Sequence, residues 1–264
     1  MDIFEAVDSR KACRWYLDKP LDLNIVCNLI ARAGRAASNG NLQPWNVHAL
    51  TGEPLKEIKR QAAATIESQD WRTFETEYPS LPAKLSEPYR SRSFHHGQEL
   101  YGSLGTSRDD SVGRLEQIKR NYQFFNAPVG LFITIDRGLG PGQWADLGGY
   151  INTLAFLARG YGLDTCPQVA WIRLYKIVSA FLQLPPEQML FCGMAIGYCD
   201  RSHPVNSFRS SRAELHEFCK FYGRSPGTCP PPRLHQAAPR PCPPPLRPAP
   251  PLAAQIESGA RVCR

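Results

Sequence analysis

A chain of 264 residues with 42% hydrophobic composition can bury the core of one ordinary domain with an appendage. It contains no run of about eighteen apolar residues and no basic-then-apolar leader, so no membrane span or secretory signal is expected and a soluble, cytoplasmic protein is. Nine cysteines without a CxxC pair suggest neither a disulfide framework nor a zinc site, and the net charge of +7 is uneven: six arginines against Glu257 from Arg224 onward leave the body nearly balanced, so no nucleic-acid partner is expected.

In chain order, Asp2 caps a short helix predicted to turn Ile3, Phe4, Ala6 and Val7 inward, and Asp22 opens a second with Leu23, Ile25, Val26, Leu29, Ile30 and Ala33 as its apolar set. After the polar loop Ser38 to Pro44, a strand is expected over Asn46 to Leu50 and a helix from about Pro54 to Ser68. The region from there to about Arg108 is polar and aromatic-rich, with no clear period. A helix over Asp109 to Phe125 then leads into a buried strand, Val129 to Ile135. Gly142 to Tyr161 is apolar on nearly all sides and reads as a central helix ending at Gly160 and Gly162. A helix near Ile172 to Leu182, a second buried strand over Met189 to Tyr198 and a last helix from Ser211 to Phe221 complete a mixed arrangement of helices and strands.

Composition changes after Gly223. Residues 224–264 hold half of the chain's 24 prolines and few large apolar side chains, so this segment is expected to be a disordered or extended tail. A non-functional extension is the preferred reading, ahead of a polyproline ligand or an arm laid over a partner subunit. The domain that carries chemistry is therefore residues 1–223.

Three polar clusters remain once core positions are set aside. Arg10, Lys11 and Arg14 follow the first helix; with helical spacing, Arg10 and Arg14 share a face where two guanidinium forks suit a phosphate, although a solvated face has the same pattern. Ser38, Asn39, Gly40, Asn41 and Gln43 crowd amide groups into a loop stiffened by Pro44; amides match the alternating donors and acceptors of a pyrimidine-like ring, and Gly40 permits close backbone approach. The third cluster, Asn206 to Arg212, adds Arg209 and Arg212 after a strand end. His95-His96 reads as a surface pair rather than a metal site, since adjacent histidines point apart and no third ligand is evident.

SRKACR, SNGNLQPW, GLDTCPQ and GMAIGYCDRSHPVNSFRSSR, in this order, resemble the signatures of the FMN-dependent nitroreductase family over residues 1 to about 223. The resemblance implies a three-layer α+β fold, a mostly antiparallel sheet flanked by helices, in an interlocked homodimer with FMN at the interface. It implies that Arg10, Lys11, Arg14, Arg212 and Arg209 hold the FMN phosphate, with Ala12 replacing the hydroxyl residue common in the family. Ser38, Asn39, Gly40, Asn41 and Gln43 would contact flavin from the second subunit, and Pro167, Gln168 and Val169 would form a turn beside flavin N5 and O4. No catalytic side chain and no metal are implied: FMN would pass hydride from NADH or NADPH to a nitroaromatic such as a nitrobenzoate, or to a quinone-like acceptor, by a ping-pong mechanism. The aromatics Trp71, Phe74, Tyr78, Tyr89, Phe94 and Tyr101 would form a lid over the flavin or pack under a long loop. Cys166 reads as a small buried neighbour of the flavin. The alternatives are a flavin-destroying or dehalogenating enzyme on the same fold, and a proline-rich interaction protein with a vestigial flavin site.

Overall fold

The computed structural model describes residues 1–222. A compact unit spans Met1–Cys219, and the expectations for residues 224–264 lie outside the described residues. Four strands, β1 (Asn46–Leu50), β2 (Val129–Asp136), β3 (Asp164–Gln168) and β4 (Gln188–Gly197), form one sheet in the order β1-β2-β4-β3, with every pair antiparallel. The two central strands, β2 and β4, are buried almost throughout, as their near-continuous apolar runs require.

Alternate residues of β2 feed opposite cores. Leu131, Ile133 and Ile135 meet helix α2 (Leu23–Ala33) and helix α6 (Pro141–Gly160), while Phe132 points into a second cluster with α3 (Gly52–Ser68). The chain is therefore α+β, with a sheet between two helical layers. On the α3 side an aromatic group centres on Trp171, whose ring lies 4.8 Å from Phe124, 4.9 Å from Phe132 and 5.4 Å from Tyr122. Gly193 of β4 admits the Trp171 indole: a Cβ there would fall inside its van der Waals radius. Gly193→Ala is expected to cost about 1–3 kcal/mol, or about 2–12 °C of Tm in a thermal scan.

The structure departs from the sequence expectations at several elements. In α1 (Ile3–Ser9) Asp2 caps as expected, in a capping box with Glu5, but only Ala6 is buried; Ile3, Phe4 and Val7 are 62%, 68% and 46% exposed. Leu23 of α2 is exposed as well. The aperiodic region contains α4 (Tyr89–Ser103), a helix with no buried residue, which explains its missing apolar period. The helix expected over 109–125 stops early: α5 covers Ser111–Lys119, and a 3-10 stretch follows in which Phe124 and Phe125 take φ of 47° and 53° and are buried. Ile172 belongs to a 3-10 turn, Val169–Leu174, that precedes α7 (Tyr175–Leu182). The last helix shrinks to α8, Leu215–Phe218. None of the described helices is long and apolar enough to cross a membrane.

Candidate functional site: an arginine cavity beside the sheet edge

Arg10 caps α1 with extended backbone dihedrals, and the chain continues extended along the outer edge of β3. Ala12 bridges Thr165 in parallel, the Cys13 N–H donates to the Thr165 carbonyl at 3.1 Å, and Tyr16 pairs with Cys199 after β4. This corrects the helical placement of Arg10 and Arg14. In an extended chain, too, residues two and four apart share a face, so Arg10, Ala12 and Arg14 line one side while Cys13 is buried on the other; Lys11 also reaches the cavity.

Phe208, Arg209, Ser210 and Arg212 form the facing wall of a cavity of about 90 Å³. The Arg212 guanidinium is held by the Ser210 carbonyl and hydroxyl, at 3.1 and 2.7 Å, and by the Ser211 carbonyl at 2.8 Å. Arg14 lies 5.8 Å from the Phe208 ring centre. No aspartate or glutamate lines the cavity, and none of Arg10, Arg14, Arg209 and Arg212 has an ion-pair partner among the described residues. Burial, then Arg212 and Arg209, push the Arg10 guanidinium below its ordinary value. Like charges gathered this closely cost free energy that an anion between them would remove.

Two buried features hold the walls in place, and neither was singled out by sequence reasoning. Asn206, 1% exposed, accepts from the Arg14 N–H at 2.8 Å and donates to the Trp15 and Asp200 carbonyls, both at 2.8 Å; its own carbonyl accepts from Lys11 Nζ. It thereby ties the Arg10–Arg14 segment to the chain that carries Arg209 and Arg212. The second feature is Arg159 of α6, which meets Asp164 at 2.9 Å and donates from Nε to the Ser9 hydroxyl at 3.1 Å, anchoring the end of α1. Burial pushes the Asp164 carboxyl up despite the opposing pull of Arg159, Arg201 and Lys11. Asn206 stood in view inside the third cluster, but burial of a polar side chain leaves no sequence signal.

The 167–169 segment is a strand end, not the turn expected. Pro167 and Gln168 belong to β3, pairing with Met194 and Gly193, and Val169 starts the following 3-10 turn. Proline is tolerated here because β3 is an edge strand. Gln168 is buried and donates to the Asn121 carbonyl at 2.7 Å, whereas Val169 is exposed. Cys166 lies between these residues and the arginines; burial pushes its thiol up to about 11 against the pull of Arg14 and Arg10, so it stays neutral near pH 7.

The loop Ser38–Gln43 is strained and exposed. Gly40, Asn41 and Gln43 all have left-handed φ, at 59°, 56° and 50°, a conformation that costs the two non-glycine residues free energy. The Ser38 hydroxyl accepts from the Gln43 N–H at 3.0 Å, Gln43 Nε2 donates to the Asn41 carbonyl at 3.2 Å, and Asp146 accepts from the Asn39 N–H at 3.1 Å. Asp146 and Arg159 lie toward opposite ends of the 20-residue α6, about 20 Å apart along its axis, so one chain does not bring this loop to the arginine cavity.

The aromatic-rich region divides in two. Trp71 and Tyr78 pack against the cores, Tyr78 donating to the Phe191 carbonyl at 2.6 Å, whereas Tyr89 and Phe94 are exposed on α4. The histidine pair divides similarly: His95 is exposed, and His96 is half-buried and lines the arginine cavity.

The description of the nitroreductase family matches residues 7–198. The chain is 38% identical to a 4-nitrobenzoate reductase of Pseudomonas putida, over 84% of this chain and 96% of that protein. It is 35% identical to a nitrobenzene nitroreductase of Ectopseudomonas oleovorans, over 83% and 96%. Among solved structures, the FMN and NADPH-dependent nitroreductase NfnB from sphigopyxis sp. strain HMH superposes with a TM-score of 0.82 at 38% identity, covering 85% of this chain and all of that one. With the family's description spanning most of the compact unit, and relatives of this identity aligned along nearly their whole length, the chain belongs to the nitroreductase family.

Proposed function

We propose that this protein is an FMN-dependent NAD(P)H oxidoreductase that reduces the nitro group of a small nitroaromatic compound and works as a homodimer. The observation that carries the reading is the arginine cavity, where four guanidinium groups converge without a carboxylate. Its size and charge fit the phosphate monoester of FMN, and Arg fits such a group better than Lys because its planar fork donates two parallel hydrogen bonds. The names of the relatives, 4-nitrobenzoate reductase and FMN and NADPH-dependent nitroreductase among them, agree with this ligand and with a nitroaromatic acceptor.

When bound, FMN supplies the two-electron chemistry that connects NAD(P)H to the nitro group. The chain contributes binding, orientation and shelter. Arg10, Lys11, Arg14, Arg209 and Arg212 fix the phosphate end of the cofactor. Pro167, Gln168 and Val169 continue the edge that Ala12 covers at Thr165, which would suit them to line the flavin ring, although Pro167 has no N–H to offer it. Tyr89 and Phe94 on α4 offer exposed aromatic faces to a planar acceptor.

What one chain leaves exposed supports the dimer reading. Ser38, Asn39, Gly40, Asn41 and Gln43 form a strained polar loop remote from their own arginine cavity, a placement that suits them to the flavin of a second subunit. Ile3, Phe4 and Val7 on α1, with Ala145, Gly149 and Asn152 along one side of α6, form faces that a second copy would cover.

The test is the visible spectrum of the purified full chain. A yellow protein should bleach anaerobically with NADPH or NADH and regain its colour when 4-nitrobenzoate is added. A folded protein that stays colourless in excess FMN would overturn the reading.

A further inference from the structure

His96 is the one residue of the arginine cavity contributed by α4, and the nitroreductase reading gives it no role. Its ring lies 5.8 Å from that of Phe208 in the opposite wall. His96 is half-buried and α4 has no buried residue; the helix is tied to the C-terminal segment by a 3.3 Å ion pair between Arg92 and Glu217. One helical turn from His96, Glu99 keeps a buried carboxylate oxygen, Oε2, with no hydrogen-bond partner.

We propose that His96 is a phosphate-binding residue: as imidazolium it donates to the phosphate monoester of FMN, so that flavin binding takes up a proton at His96 and fastens α4 over the cavity. The proposal rests on the FMN reading above. The groups that face the ring are Arg14 from the extended segment, Arg212 from the C-terminal wall and Glu99 from α4 itself. In the cavity without an anion, burial, Arg14 and Arg212 push the imidazole below its ordinary value, and Glu99 alone pulls it up. A phosphate dianion among the arginines reverses that field and adds an acceptor, which raises the pKa. No bond is made or broken except to the proton, which comes from solvent.

The sign of the pH dependence follows. A pKa that is higher in the complex than in the free site favours binding at low pH, and that advantage fades as pH rises through the value in the complex. The second ionisation of the FMN phosphate, near pH 6, gives an opposite trend, so the contribution of His96 is the difference between wild type and a variant that cannot titrate.

Titration calorimetry of the full chain with FMN at pH 7, in two buffers of different ionisation heat, should show proton uptake that His96→Gln lacks. His96→Gln should bind FMN about tenfold more weakly than wild type near pH 6, with the gap closing by about pH 8.5. Riboflavin, with or without added inorganic phosphate, should bind wild type and variant equally, which separates the tethered phosphate monoester from the ring and from free phosphate. Glu99→Gln should reduce the proton uptake in a chain that keeps His96, so the inference does not depend on one variant. Equal proton uptake in wild type and His96→Gln, a pH-independent affinity ratio, or an equal effect on riboflavin would each overturn the role of His96 while leaving the flavin reading intact. Failure of the wild type to bind FMN at all would overturn both.

Discussion

Arg10→Ala/Arg212→Ala should fold at least as well as wild type and emerge from purification without flavin. The two side chains stand in opposite walls of the cavity, and burial, followed by like-charge repulsion from Arg212 and Arg209, already depresses the Arg10 guanidinium. Removing two of the charges relieves that repulsion in the empty site, so the Tm of the flavin-free variant should equal or exceed that of flavin-free wild type. Binding goes the other way. Each charge-assisted hydrogen bond to phosphate contributes about 1.5–3 kcal/mol, so losing both should weaken FMN by about 10²- to 10⁴-fold. Flavin fluorescence quenching reads the affinity, and a thermal scan without FMN reads the stability. A variant that keeps wild-type FMN affinity would show that the phosphate binds elsewhere. Opposite signs in the two measurements are what a binding site, unlike a structural cluster, should give.

How far this site could be read from sequence depended on the physical cause of each element. β2 and β4 announce themselves because burial on both faces demands unbroken apolar runs, and Asp2 and Asp22 announce their helices because a carboxylate there caps free N–H groups. Strand β3 gave no such sign. Its residues Asp164-Thr165-Cys166-Pro167-Gln168 have the composition of a turn, and they form a strand because β4 pairs with them and Arg159 neutralises Asp164. Helix α4 was hidden for the opposite reason: it buries nothing and so carries no apolar period. For Arg10 and Arg14 the expected outcome survived a wrong premise, since residues four apart share a face in a helix and in an extended chain alike. The exposure of Ile3, Phe4 and Val7 marks another limit, because an apolar helix face looks the same in sequence whether it meets its own core or is left uncovered by it. Asn206 and His96 could not be assigned from sequence because their roles come from residues more than a hundred positions away or from a helix that leaves no pattern.

Asn206→Leu should lower stability and FMN affinity together, although Asn206 does not line the cavity. The substitution keeps the branched shape of the side chain and removes one acceptor and two donors. The Arg14 N–H and the Asp200 carbonyl, each now bonded at 2.8 Å, would lose their partner in a site that is itself 1% exposed, and the Trp15 carbonyl would keep only the Asp200 N–H at 3.1 Å and the Cys13 thiol. Some of these groups can find water after relaxation, so the loss should be about 2–4 kcal/mol, or about 4–16 °C in Tm for a domain of this size. The effect on FMN has a separate origin. Asn206 is what holds the extended segment of Arg10 and Arg14 at a fixed distance from Arg209 and Arg212, and a cradle that must first be ordered by its ligand binds more weakly. Asn206→Asp distinguishes the two effects: it retains an acceptor for the Arg14 N–H but no donor for the carbonyls, and it places a carboxylate behind the arginines. It should therefore bind FMN more weakly than its loss of Tm alone would suggest, with the excess shrinking as salt is added. Riboflavin affinity should change far less than FMN affinity in both variants, because only the phosphate end of the site is loosened. If both ligands weaken equally, Asn206 supports the fold as a whole and not the arginine walls.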